Sequence, residues 1–197
     1  MSTIRAIALL RGINVGGKNV LPMERLRALF VAAGCERVQT YIQSGNVVFS
    51  TTTAILSKLG SEISASIEAS EGLQVPVVIR TLDQMKRLVR HNPYLLARVD
   101  ESTLHVMFLR DLPSFEQVAG IDLQRSPGDF YQVVDADVFM HMPNGVAKSK
   151  LTNAYFDSKL KTVSTVRNWR TVTQLLAMLE AEAEPPAASS TKRSIKK

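Results

Sequence analysis

The sequence predicts an α+β fold built from two tandem ferredoxin-like βαββαβ halves, with antiparallel sheets and a C-terminal helix. Three observations predict it. Short apolar runs of strand length alternate with stripes of helical period in the order β-α-β-β-α-β. That order begins again after residue 102. Each round contains two adjacent strand-like runs separated by a turn signal, Ser44-Gly45 in the first and Asp135-Ala136 in the second.

In the first round, IRAIALL (4–10) reads as a buried strand and Pro22 opens a helix whose stripe is Met23, Leu26, Leu29 and Phe30. Gly34 stops that helix. VQTYIQ and NVVFS form the hairpin. Thr53 is placed to cap a second helix carrying Ile55, Leu59, Ile63 and Ile67 on one face, and VPVVIR (75–80) closes the round. A connecting helix follows, with Thr81 and Gln84 spaced as a capping box, and ends at His91-Asn92-Pro93.

The second round runs through LHVMFL (104–109), a short helix at 113–120, the hairpin DFYQVV/DVFMHM, a helix at 150–161 and a strand at 162–167. A last helix is expected after a Thr171…Gln174 box. The expected division is residues 1–91 for the first half and its connecting helix, 92–102 for a linker, 103–184 for the second half, and 185–197 for a disordered basic tail.

Composition narrows the function. At 197 residues and 45% hydrophobic content, the chain can bury one generous core or two small ones. No apolar run approaches the ~20 residues that span a bilayer, and MSTIRAIALLRG lacks the pattern of a signal peptide, so a cytoplasmic protein without membrane contact is expected. A single cysteine, Cys35, fits a reducing compartment and is read as buried and inert. The net charge of +6 is concentrated in the tail, where Lys192, Arg193, Lys196 and Lys197 meet no acid. Without it, 20 basic and 18 acidic residues remain, too balanced to make the folded body a nucleic-acid face.

RGINVGGKN (11–19) has the glycine and lysine spacing of a nucleotide-binding P-loop. The reading fails on chemistry. A P-loop helix starts at the lysine, whereas this one starts near Pro22. Asn19 stands where a magnesium-binding hydroxyl belongs, and the expected sheet is antiparallel. Gly12, Gly16 and Gly17 serve instead to permit positive φ, and Arg11, Asn14 and Lys18 are polar groups presented among them.

IALLRGINVGGKNVLPMERLRALF, VQTYIQSGNVVF, SKLTNAYFDSKL and TVRNWRTVTQLLAML together resemble a bacterial family, domain of unknown function 1697 (DUF1697). The resemblance spans about residues 4–180. It implies a duplicated ferredoxin-like architecture, in agreement with the element order, and supplies no activity.

The topology brings distant polar motifs together. The loop after strand one and the turn between strands two and three share a sheet edge, so Arg11, Gly12, Asn14, Gly16, Gly17, Lys18, Ser44 and Asn46 are expected around one concavity, a nest for an anion. In the second half Lys150, Asn153, Arg167 and Asn168 share the opposite edge, with Ser149 capping the helix that carries Lys150 and Asn153. Whether the two clusters face each other depends on how the halves dock. His91, His105 and His141 are scattered, so no metal is expected, and no cofactor motif is present. Asp137 and His141 alternate onto one strand face, most simply as hydrogen-bonding residues.

Three functions remain. The first is a soluble protein binding a small phosphorylated or carboxylated ligand at the glycine-loop pocket. The second is a nucleic-acid binder using a sheet face and the basic tail, disfavoured by the lack of an aromatic-rich strand. The third is a cofactor-independent enzyme, for which the sequence names no general base. Oligomeric state is open.

Overall fold

The structure, a computed structural model, describes residues 3–181. The tail expected at 185–197 lies outside the described residues. The first sheet contains β1 (Thr3–Leu10), β2 (Glu36–Tyr41), β3 (Asn46–Thr52) and β4 (Val77–Thr81) in the order β2-β3-β1-β4. The second contains β5 (Leu104–Leu109), β6 (Phe130–Val134), β7 (Asp137–His141) and β8 (Ser164–Asn168) in the order β6-β7-β5-β8. Every pairing is antiparallel. Helices α1 (Met23–Ala32), α2 (Thr53–Glu71) and α3 (Leu82–Arg90) belong to the first round, and α4 (Phe115–Ala119), α5 (Asn153–Leu160) and α6 (Trp169–Ala181) to the second. The fold is the expected pair of βαββαβ halves with a C-terminal helix. Among the described residues no helix is long and apolar enough to cross a membrane.

Strand alternation divides the apolar residues into three cores. Ala6, Ala8 and Leu10 of β1 turn toward α1 and α2, where Leu26, Phe30, Leu59 and Ile63 bury against them. Ile7 and Leu9 turn the other way, into a central core with Val106 and Phe108 of β5, Met85 and Leu88 of α3, and Trp169, Val172 and Leu175 of α6. Met107 and Leu109 turn outward again, toward Phe156 and Leu160 of α5. The sheets therefore meet face to face through α3 and α6. This explains why LHVMFL and IRAIALL are apolar on both faces.

Helix starts differ from the sequence reading in local chemistry. The Thr81–Gln84 box is present in both directions, at 3.3 and 2.8 Å. α1 starts one residue later than expected, with Pro22 before its first turn. Thr52, not Thr53, precedes α2. α5 starts at Asn153, because the Thr152 hydroxyl accepts from Tyr155 N–H, while Ser149 Oγ accepts from Leu151 N–H. Lys150 is therefore outside the helix. α6 starts at Trp169, before the expected box, because Asn168 Oδ1 accepts from Thr171 N–H at 2.8 Å. Asn168, three positions before the expected box, caps the helix through the Thr171 N–H instead.

Candidate functional site

The glycine loop closes on itself. Gly16 and Gly17 both have positive φ, 57° and 74°, and Lys18 N–H donates to Val15 C=O at 3.0 Å. That is a two-residue turn of the kind requiring positive φ at both central positions. Asn14 braces its base, donating to the carbonyls of Leu21 and Gln43, each at 2.9 Å, and accepting from Leu21 N–H. Asn19 donates to Gly12 C=O at 2.8 Å. The loop and the β2–β3 turn are thus joined, and Lys18 extends from the exposed tip. The Lys18 amide is used internally, which a phosphate-cradling loop would not do.

The two polar clusters interlock across the seam between halves. Arg11 Nη1 donates to Asp157 Oδ2 at 2.5 Å and to Ser164 C=O at 3.0 Å. Asp157 Oδ1 accepts from Ser164 Oγ, which accepts from Asn153 Nδ2. Ser164 is fully buried and its hydroxyl is spent in this chain, so the group is a brace rather than a nucleophile. Arg167 Nε donates to Asn46 Oδ1 at 2.6 Å, and its Nη2 to Leu10 C=O at 2.7 Å and Ser44 C=O at 3.1 Å. Burial pushes the Arg167 guanidinium down to about 10, so it stays charged at neutral pH.

Arg167 has a counterpart that the sequence reading did not single out. Arg80 of β4 pairs in register with Ile7, as Arg167 of β8 pairs with Val106. Arg80 Nη2 donates to Leu109 C=O and Ala136 C=O, both at 2.7 Å, and to Asp137 Oδ1 at 2.9 Å. Each arginine enters the opposite half at the same place: the end of its first strand and the first residue of its third, Asn46 or Asp137. The halves therefore clamp each other reciprocally about a pseudo-two-fold axis. Asp137 serves Arg80 rather than His141, whose ring lies against Phe130 and Tyr94. The signal was in the sequence: both final strands end in arginine followed by a capping residue, Arg80-Thr81 and Arg167-Asn168.

Not every expected residue joins. Lys150 is exposed, with its N–H on Ser126 Oγ at 3.1 Å, and Asn168 is spent at the α6 cap. Ser44 and Asn46 lie at the seam, Asn46 fully buried. What remains open is a groove of about 480 Å³ lined by Arg11, Gly12, Asn19, Pro76, Arg110 and Val163, among others. Arg110 occupies in the second half the position of Arg11, since each follows the last residue of the first strand and each N–H donates to the residue leading into the final strand, Pro76 or Val163. Sequence reasoning missed Arg110; its signal was the repeated Leu-Arg of ALLRG and MFLRD. Among the described residues its guanidinium, 56% exposed, holds only the adjacent Asp111, at 3.2 Å. Arg11 binds through Nη1 alone, leaving Nε and Nη2 without a described bond.

A solved structure, that of the conserved bacterial protein SP0830 from Streptococcus pneumoniae, matches with a TM-score of 0.69 at 22% identity, covering 90% of this chain and 99% of that one. It supports the fold alone. No curated protein matches. The model of the family described as "Protein of unknown function (DUF1697)" matches residues 3–139, from β1 into β7. The chain belongs to the DUF1697 family.

Proposed function

We propose that the protein binds a small phosphorylated or carboxylated molecule in the groove between Arg11 and Arg110. The observation that carries this reading is the convergence of two equivalent arginines, one from each half, on one open groove beside a glycine-loop backbone. Most other polar residues at the seam satisfy one another. These two keep donors for a guest, and a guanidinium fork matches the oxygens of a carboxylate or phosphate. Asn19 fixes the loop wall, and Gly12, at φ 76°, keeps it low. Among the described residues that line the groove none is a carboxylate or histidine that could act as a base, so the reading is of a binding protein.

The test is a thermal-shift screen of the full chain against phosphorylated and carboxylated metabolites, repeated with Arg110→Ala. The reading expects stabilisation by at least one anion and its loss in the variant. Stabilisation that persists in Arg110→Ala would place the ligand elsewhere.

A further inference from the structure

The duplication supplies an internal control: a charge present in one half and absent at the equivalent place in the other is not demanded by the fold. Aligning Arg80 with Arg167 places Gln84, Arg87 and His91, at and after α3, on Thr171, Gln174 and Met178 of α6. Aligning Asp137 with Asn46 places Asp135 on Ser44. The first set carries two acids, an arginine and a histidine, and the second carries no charge. The charged set lines a cavity of about 190 Å³ between α3 and the β6–β7 turn, whose apolar wall is Leu88, Val134 and Phe139.

Its polar groups are unevenly spent. Asn46, at the uncharged place, is saturated: Oδ1 accepts from Arg167, and Nδ2 donates to Tyr41 C=O and Ser44 Oγ. Asp137 takes both Arg80 contacts on Oδ1, which leaves Oδ2 without a hydrogen bond among the described residues. Burial, and the charge of Asp135 beside it, push the Asp137 carboxyl above its ordinary range in spite of Arg80. Among the described residues neither Asp135 nor Arg87 has an ion partner, so they do not pair with each other. His91 Nδ1 lies 2.9 Å from Arg87 C=O, which can only accept. That nitrogen therefore carries the proton, and Nε2 is the acceptor of the neutral ring. Gln84 Oε1 accepts from Thr81 N–H in the α3 cap, leaving its amide nitrogen as a donor.

We propose that this cavity is a site for a free α-amino acid with an apolar side chain. The guest's ammonium has three N–H donors, and Asp137 Oδ2, the Asp135 carboxylate and His91 Nε2 are three acceptors for them. Its carboxylate meets the Arg87 guanidinium and the Gln84 amide, and its side chain meets Leu88, Val134 and Phe139. An ammonium there offsets two neighbouring carboxylates, and a guest of both signs leaves the balance of charge unchanged. The volume is below the ~300–1,000 Å³ of pockets for drug-sized ligands, which points away from a nucleotide. None of these residues lines the Arg11–Arg110 groove, so the proposal does not rest on the anion reading.

The experiment screens the full chain by thermal shift against the standard free α-amino acids at neutral pH, then titrates the best of them by calorimetry. We expect an apolar amino acid to raise the melting midpoint, and Arg87→Ala and Asp135→Asn each to weaken its binding at least tenfold. Both residues are exposed, and asparagine accepts the φ of 52° at position 135, so the midpoints without guest should match wild type. N-acetylating the guest and amidating its carboxylate should each weaken binding at least tenfold too, a readout that leaves the protein untouched. Arg110→Ala should bind the amino acid as wild type does. The absence of binding by every amino acid overturns the proposal, as does a guest indifferent to Arg87→Ala, to Asp135→Asn or to acetylation. So does binding that Arg110→Ala abolishes, which would put the guest's carboxylate in the anion groove.

Discussion

Among the described residues no carboxylate meets the buried Arg167 cation, which is stabilised by carbonyl oxygens and Asn46. Truncating it strands several buried acceptors at once. Arg167→Ala should cost about 3 kcal/mol or more, measured by urea denaturation, and Arg167→Lys should recover little because an ammonium cannot reach divergent acceptors as a fork does. Full rescue by lysine would show that charge alone matters. His105 gives a pH prediction. Burial holds its imidazole below the usual range, so the unfolded chain binds the proton more readily. Its contribution is present above the unfolded pKa of about 6.5 and is lost as pH falls through the folded value. Acidification from pH 7 to 5.5 should therefore lower the midpoint of wild type more than that of His105→Gln. At this scale the sequence exposed half of each arginine pair. Arg11 and Arg167 stand in conspicuous polar motifs, whereas Arg80 and Arg110 sit among ordinary neighbours and become visible only when the repeat is superposed by register.

Among elements, helix caps show what spacing can and cannot reveal. The Thr81–Gln84 box was legible because one pair of side chains answers it. At α6, Asn168 and Thr171 were both able to cap, and the choice turned on where β8 releases the chain. Asn168→Ala should cost about 1 kcal/mol and Thr171→Ala should not be felt through capping, a comparison that thermal melts resolve. An equal cap loss at Thr171 would contradict the assignment. α2 offers the opposite sign. Gly60→Ala should stabilise the protein by roughly 0.5–1 kcal/mol, since the helix gains propensity and the methyl has room. A destabilised variant would mean that the helix already touches β4 more closely than the geometry allows.

For the whole molecule, element order was enough to give two sheets of the right connectivity, because alternation and turn signals are local. How they dock was not legible: it depends on which strand faces are apolar on both sides and on two arginines reaching into the opposite half. The central core draws on β1, β5, α3 and α6 together. We therefore propose that 92–102 joins two halves of a single cooperative unit. Unfolding followed by the fluorescence of Trp169, buried in that core, and by circular dichroism should coincide in one transition. Two separated transitions would make the halves independent.

The central claim is that Arg11 and Arg110 hold an anion, and the two residues are not equally good probes of it. Arg11 also ties the halves through Asp157, so Arg11→Ala should lower the midpoint by several degrees and confuse affinity with stability. Arg110 is exposed and, among the described residues, holds only its neighbour Asp111. The most direct measurement is calorimetric titration of inorganic phosphate into wild type and Arg110→Ala, with melting curves of both taken without ligand. The account predicts matching midpoints and binding at least tenfold weaker in the variant, the loss of one charge-assisted contact of about 1.5–3 kcal/mol. Equal affinity in the two proteins, at matching midpoints, would contradict it.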